Sequence, residues 1–143
     1  LYLGAKSFLA RGGPGRKYKR SQLTDDQGKT ILQKILYAME VEKIYKDPNV
    51  SVSFLSSRLA VSARTISQVI NEQLEKNFFE LINEYRIKEA QKLLTQEEYR
   101  EKSILDITYE VGFNSRSAFN RVFKNTTGIP PSTYRKKHKR PTS

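Results

Sequence analysis

Chemically, the most telling residues are polar side chains that recur on the outer faces of two helical stretches. One stretch buries Ile66, Val69 and Ile70 and leaves Arg64, Thr65, Ser67, Gln68 and Asn71 outside. The other buries Ala118, Phe119, Val122 and Phe123 and carries Arg116, Ser117, Asn120, Arg121 and Lys124 outward. Arg, Asn, Gln, Ser and Thr are the types that hydrogen-bond to base edges in a DNA major groove, which admits one α-helix. A face saturated with Glu and Lys would mark an ordinary surface helix, and neither stretch has one.

Catalytic chemistry is poorly supplied. There is no Cys, which removes disulfides, a thiol nucleophile and Cys-ligated zinc. The one His, His138, lies in a basic run and can build neither a His metal site nor a buried triad. Asp25-Asp26 and Glu97-Glu98 are carboxylate pairs, but neighbours on a helix point about 100° apart and do not converge. They read as helix N-terminal and solvated surface charge. The expectation is a chain that is not an enzyme and needs no cofactor or metal.

The elements that would position the two polar faces are all helical, and no stretch of strict apolar/polar alternation competes with them. Each face belongs to a unit of one design: a short helix, a tight break, then a second helix. The first unit runs over about Ser53 to Gln73, broken at Val61-Ser62. The second runs over about Ser103 to Lys124, broken at Gly112-Phe113. Each is a candidate helix-turn-helix, in which the second helix enters the groove and the first crosses the backbone. A longer helix from about Phe78 to Thr95 joins them. About 17 residues at 1.5 Å each span roughly 25 Å. With the flanking helices, that brings two reading helices near the ~34 Å between successive major grooves on one DNA face. Upstream, Thr24-Asp25-Asp26-Gln27 reads as a capping box opening an amphipathic helix within 22–46, stopped by Asp47-Pro48. The fold class is all-α: two helix-turn-helix subdomains, a long connector helix and an N-terminal amphipathic helix.

Charge adds a partner class. The chain has 143 residues, with 26 Lys and Arg against 15 Asp and Glu, a formal +11 that points to a polyanion. The excess is uneven: residues 1–46 and 98–143 each carry net +6, while 47–97 carries net −1. The run Arg135-Lys136-Lys137-His138-Lys139-Arg140 is as consistent with a solvated tail as with phosphate contact. With 37% hydrophobic residues the chain has apolar material for a core.

The stretch from Ile107-Thr108-Tyr109-Glu110-Val111-Gly112-Phe113-Asn114-Ser115-Arg116 through Lys124, followed by Gly128-Ile129-Pro130-Pro131-Ser132-Thr133-Tyr134-Arg135, resembles the C-terminal signature of the AraC/XylS transcription regulators. Asn83 to Leu94 resembles the connector of that family, and Leu59-Ala60-Val61-Ser62 with Ile66 and Ile70 resembles its first helix-turn-helix. The resemblance covers about 90 residues, 50 to 137, and is most specific in its C-terminal half. It implies an AraC-type DNA-binding domain over 47–140 that binds double-stranded DNA at two adjacent major-groove segments and regulates bacterial transcription. Carried over by position, Ala63, Arg64, Thr65 and Gln68 of the first reading helix would face bases, with Asn71 near the backbone. Ser115, Arg116, Asn120 and Arg121 of the second would face bases, with Lys124 toward phosphate. Arg135, Lys136 and Lys137 would add backbone contacts, and Gly112 and Phe113 would be structural.

Two departures from the family pattern stand out. The family places Gly between the first reading helix and the connector, where Gln73-Leu74-Glu75-Lys76-Asn77 has none. A positive φ there would cost stability. Thr108 stands where the family favours Ala.

The stretch 1–21 reads as an apolar and basic linker or stub, and 141–143 as a short tail. Leu1 to Ala10 followed by clustered positive charge has the look of the cytoplasmic exit of a membrane helix, and equally of a linker. The family couples this domain to a sensing or dimerising domain. The resemblance therefore implies a sensor domain elsewhere in the polypeptide, RNA polymerase and a second copy as further partners, and a cytoplasmic place, tethered to a membrane only through an upstream segment. The helix within 22–46 would pack on the domain or mediate dimerisation. The competing reading is a non-specific, architectural nucleic-acid binder that works by charge alone.

Overall fold

The computed structural model describes residues 23–138, so the stretch 1–21, the end of the basic run at Lys139-Arg140 and the tail 141–143 lie outside it. The described residues form seven α-helices and no strand. They are α1 (Asp25–Glu40), α2 (Val52–Leu59), α3 (Ala63–Leu74), α4 (Phe78–Thr95), α5 (Ile104–Glu110), α6 (Arg116–Thr127) and α7 (Pro131–Lys137), with 3-10 turns at Ile44–Lys46 and Glu97–Tyr99. None of these helices is long and apolar enough to cross a membrane.

Side-chain caps explain where most helices begin. Thr24 Oγ1 accepts from the Gln27 N–H at 3.1 Å, and Gln27 Oε1 accepts from the Thr24 N–H at 2.9 Å, closing the capping box that opens α1. Asn77 and Glu80 make the same reciprocal pair, 2.8 Å each way, at the start of α4. Ser51, Ser62, Ser103 and Ser115 cap α2, α3, α5 and α6 in turn. Such a cap is worth about 0.5–2 kcal/mol.

α1 ends earlier than its apolar spacing suggests. That spacing continues to Tyr45, yet the helix stops at Glu40 and the chain turns through Lys43, a left-handed residue at φ 53. The cause is burial elsewhere: Ile44 and Tyr45 are 7% and 3% exposed and belong to a different compact unit from α1. Periodicity shows that these residues are apolar, not which core takes them.

The chain forms two compact units, each assembled from two separate stretches. Among the described residues, the first contains 23–43 together with Val50–Leu81. Here α1 packs against α2 and α3, so the N-terminal helix is part of this unit. Leu32, Ile35, Met39, Leu55, Ile66, Val69 and Ile70 are among its buried apolar side chains. Arg58 on α2 donates its Nε–H to Glu42 Oε1 at 2.8 Å, fastening the end of α1 to α2. This bond holds the Glu42 carboxyl below its usual range.

Among the described residues, the second unit contains Ile44–Asn49 and 82–138. Its core joins Ile87, Ala90, Leu93 and Leu94 of α4 with Ile107, Val111, Phe113, Phe119 and Phe123. Phe113, Phe119, Phe123 and Tyr134 form a chain of rings with centroids 5.4–5.5 Å apart. That is within the range where aromatic pairs attract beyond their buried area. His138 completes it, stacked on Tyr134 at 4.1 Å. Thr108, fully buried, donates its hydroxyl to the Ile104 carbonyl at 2.8 Å, so the departure from Ala is satisfied locally.

Candidate nucleic-acid interface

The two polar faces are carried by helices of one construction. α2 ends at Ala60, left-handed at φ 57; Val61 follows, and Ser62 caps α3. Ser62 Oγ accepts from the Thr65 N–H at 3.1 Å and donates to Thr65 Oγ1 at 2.8 Å. In the second unit Gly112 is the left-handed residue at φ 113; Phe113 and Asn114 follow, and Ser115 caps α6 by accepting from the Ala118 N–H at 3.1 Å. The second turn is thus one residue longer. Both α3 and α6 then run for 12 residues and end on another left-handed residue, Glu75 and Gly128.

The shared serine caps put the two helices in register. Arg64 matches Ser117, Ser67 matches Asn120, Gln68 matches Arg121 and Asn71 matches Lys124. These pairs line the side opposite the buried stripes, Ile66-Val69-Ile70 in one helix and Phe119-Phe123 in the other. At about 100° per residue they cover a single outward sector.

Within that frame, the residues singled out in the sequence fall into distinct settings. Arg64, Asn71, Arg116, Asn120, Arg121 and Lys124 are exposed. Ala63 is half-buried in the first turn of α3. The Thr65 and Ser115 oxygens are both engaged in cap hydrogen bonds. Gln68 is half-buried, and its amide nitrogen is shielded from solvent with no hydrogen-bond partner. Arg116, Asn120 and Lys124 come together with Ser132, Pro130 and Pro131 around an open cleft of about 250 Å³. Two cations beside a hydroxyl and an amide form a setting suited to a phosphate group.

Arg135 is turned inward. It donates to the Tyr99 carbonyl at 3.1 Å, and its Nε is buried without a partner, so it ties α7 to the 3-10 turn. Lys136 and Lys137 remain exposed on the last turn of α7.

Sequence reasoning missed the support beneath the second unit. Arg86 is 8% exposed and donates to the carbonyls of Tyr45 at 2.7 Å and Asp47 at 3.1 Å. Burial pushes its guanidinium below the usual value, with the Asp47 charge opposing. Tyr45 stacks on Tyr85 at 5.9 Å and hydrogen-bonds Glu89, which Lys46 also approaches at 3.5 Å. The signal was present: Arg86 sits four residues from Ile82 and from Ala90, a charge in the apolar stripe of α4.

Two short-helix, turn, capped-helix units define the class: a helix-turn-helix domain. The helix-turn-helix domain family matches residues 55–137. The chain belongs to the AraC-type family of helix-turn-helix DNA-binding transcription regulators, which are not enzymes. It is 30% identical over 122 residues to the TCP pilus virulence regulatory protein of Vibrio cholerae, covering 83% of this chain and 40% of that protein. Among solved structures it resembles a transcriptional regulator of Chromobacterium violaceum described as AraC-type DNA-binding domain-containing. The TM-score is 0.68 at 23% identity, covering 82% of this chain and 100% of the other. It also resembles the DNA-binding domain of AdpA, a global transcriptional factor solved in complex with a target DNA. There the TM-score is 0.64 at 20% identity, covering 76% and 91%. The chain spans 36–40% of the length of the curated relatives it matches.

Proposed function

We propose that this chain binds double-stranded DNA sequence-specifically, laying α3 and α6 in adjacent major-groove segments, and so regulates bacterial transcription. The observation that carries the reading is the matched register of the two 12-residue helices. Each has a serine cap, a buried back and an outward sector of groups that hydrogen-bond to base edges or meet phosphate. Arg64, Asn120 and Arg121 are the exposed groups best suited to bases, with Asn71 toward the backbone. Lys124, Lys136 and Lys137 supply charge for phosphates, and Arg116 borders the cleft where either role is open to it. The +11 charge then positions the protein on DNA, and the polar faces read sequence.

AdpA, the structural neighbour solved with its target DNA, lends the reading support by analogy of fold. A sensing domain in the same polypeptide, RNA polymerase and a second copy are the further partners this role calls for. Enrichment of bound sites from random double-stranded DNA tests the reading directly. Two half-sites about ten base pairs apart, bound by a monomer, are expected. Retention of DNA with no enriched motif would leave only electrostatic binding and overturn it.

A further inference from the structure

The turn of the second helix-turn-helix is held from outside its own two helices. Gly112, at φ 113, lies so near the segment Ile44–Asn49 that a Cβ there would stand 2.2 Å from the Tyr45 carbonyl oxygen and 2.7 Å from Arg86 Nε. No side chain fits that space. Arg86 fills the gap left beside the glycine. Its Nε–H goes to the Tyr45 carbonyl at 2.7 Å, and its Nη2 goes to the Asp47 carbonyl at 3.1 Å. Its guanidinium carbon lies 5.3 Å from the centroid of the Phe113 ring, and Phe113 in turn meets Phe119 of α6 at 5.4 Å. A guanidinium can do this because it has a planar fork of donors and a flat face that stacks on a ring; a lysine ammonium is a point charge with neither.

From this geometry we propose that Arg86 is a positioning residue for the second reading helix. It clamps Ile44–Asn49 against the Gly112-Phe113 turn and so fixes the angle at which α6 leaves that turn, while touching no DNA itself. The chain of contact runs from Arg86 through Phe113 to Phe119, which is fully buried on the back of α6. Base-edge hydrogen bonds tolerate only a few tenths of an ångström and a narrow range of angles. A loosened turn therefore costs reading by α6 first. Arg86 lies in the second unit with every one of these partners, so reading by α3 is left intact.

The proposal rests on α3 and α6 being the two base-reading helices, and the experiment separates the two ideas. Quantitative footprinting is run on a DNA site selected with the wild-type protein. Arg121→Ala first marks the half-site that α6 reads. If the wild-type protein protects no pair of half-sites, the functional reading fails and the proposal falls with it. If it protects both, Arg86→Met is expected to weaken the α6 half-site about tenfold, the loss of roughly one good base contact, with the other half-site within about twofold. Should Arg86→Met fold poorly, Arg86→Lys carries the test, since it keeps the charge and loses the fork. Tyr45→Phe, which keeps the carbonyl that Arg86 uses, is expected to leave both half-sites at wild-type strength. Equal loss at both half-sites in a folded Arg86→Lys protein, or no loss at either, overturns the positioning role.

Discussion

Glu75 and Gly128 occupy the same place in two helices. Each follows a 12-residue helix, α3 or α6, each is left-handed, and each donates its N–H to the carbonyl four residues back, Asn71 at 3.0 Å and Lys124 at 2.8 Å. Only one of them is the residue such a position favours. The gap in the family pattern between α3 and α4 is therefore a backbone cost paid at Glu75, with the geometry retained.

Glu75→Gly is expected to stabilise the protein. A left-handed L-residue costs about 1–2 kcal/mol, and the extra unfolded-state freedom of glycine takes back about 0.5–1 kcal/mol. The net gain is about 0.5–1 kcal/mol, read as a higher denaturant midpoint at unchanged slope. Gly128→Ala runs the other way by about 1 kcal/mol. A Cβ there meets no atom within 4 Å, so the whole effect is conformational. Equal midpoints for Glu75→Gly and wild type would contradict this account.

Ser115→Ala separates capping from base reading. Loss of the bond to the Ala118 N–H is expected to cost about 0.5–2 kcal/mol of stability, and Ser115→Gly only a few tenths. Urea unfolding measures the first effect. A selected-site assay should return the wild-type motif for both variants, since the hydroxyl oxygen is already engaged. A changed base preference would make Ser115 a reader.

The three adjacent cations of α7 should behave differently. Lys136→Ala and Lys137→Ala are each expected to weaken cognate and random DNA alike and to lower the slope of log K against log salt by about 1. Arg135→Ala should change that slope less and lower the melting temperature, because its half-buried guanidinium is held against the Tyr99 carbonyl. A salt slope altered as much by Arg135→Ala as by Lys136→Ala would return that residue to the phosphate surface.

Tyr45 gives the protein an alkaline limit. Burial first, then the neighbouring Glu89 charge and hydrogen bond, pushes its phenol up to about 12 from the usual 10.0. In the unfolded chain the phenol ionises near 10, so stability contributed by Tyr45 is complete below that pH and is lost as pH rises toward 12. Tyr45→Phe is expected to flatten the fall in stability over that window. Thermal unfolding at pH 9 and pH 11 provides the comparison, and identical pH dependence in both proteins would rule the effect out.

Much of the fold was legible because it rests on short-range rules. The caps at Thr24 and Ser62 follow from the residue types beside a helical apolar stripe; before α6 the sequence offers Asn114 or Ser115, and the structure takes Ser115. The outward polar faces came from the same periodicity. Long-range placement was what escaped it. Ile44 and Tyr45 continue the spacing of α1 but are buried in the second unit, and only tertiary structure reveals that the helix must end at Glu40. Arg135 looked like part of a solvated run, and its inward turn depends on a carbonyl 36 residues away. Arg86 is silent in the sequence because a guanidinium in an apolar stripe has meaning only once its carbonyl partners are known.

The segment Ile44–Asn49 also governs where this protein can be cut. It belongs to the second unit, although the first unit lies on both sides of it in the chain. No single cleavage separates the two units intact, and the stretch that defines family membership, 55–137, begins after the segment has passed. A fragment trimmed to those limits leaves Arg86 with a buried charge and no carbonyls to receive it, and leaves Gly112 facing a void. Minimal DNA-binding fragments of this protein should therefore start ahead of Ile44.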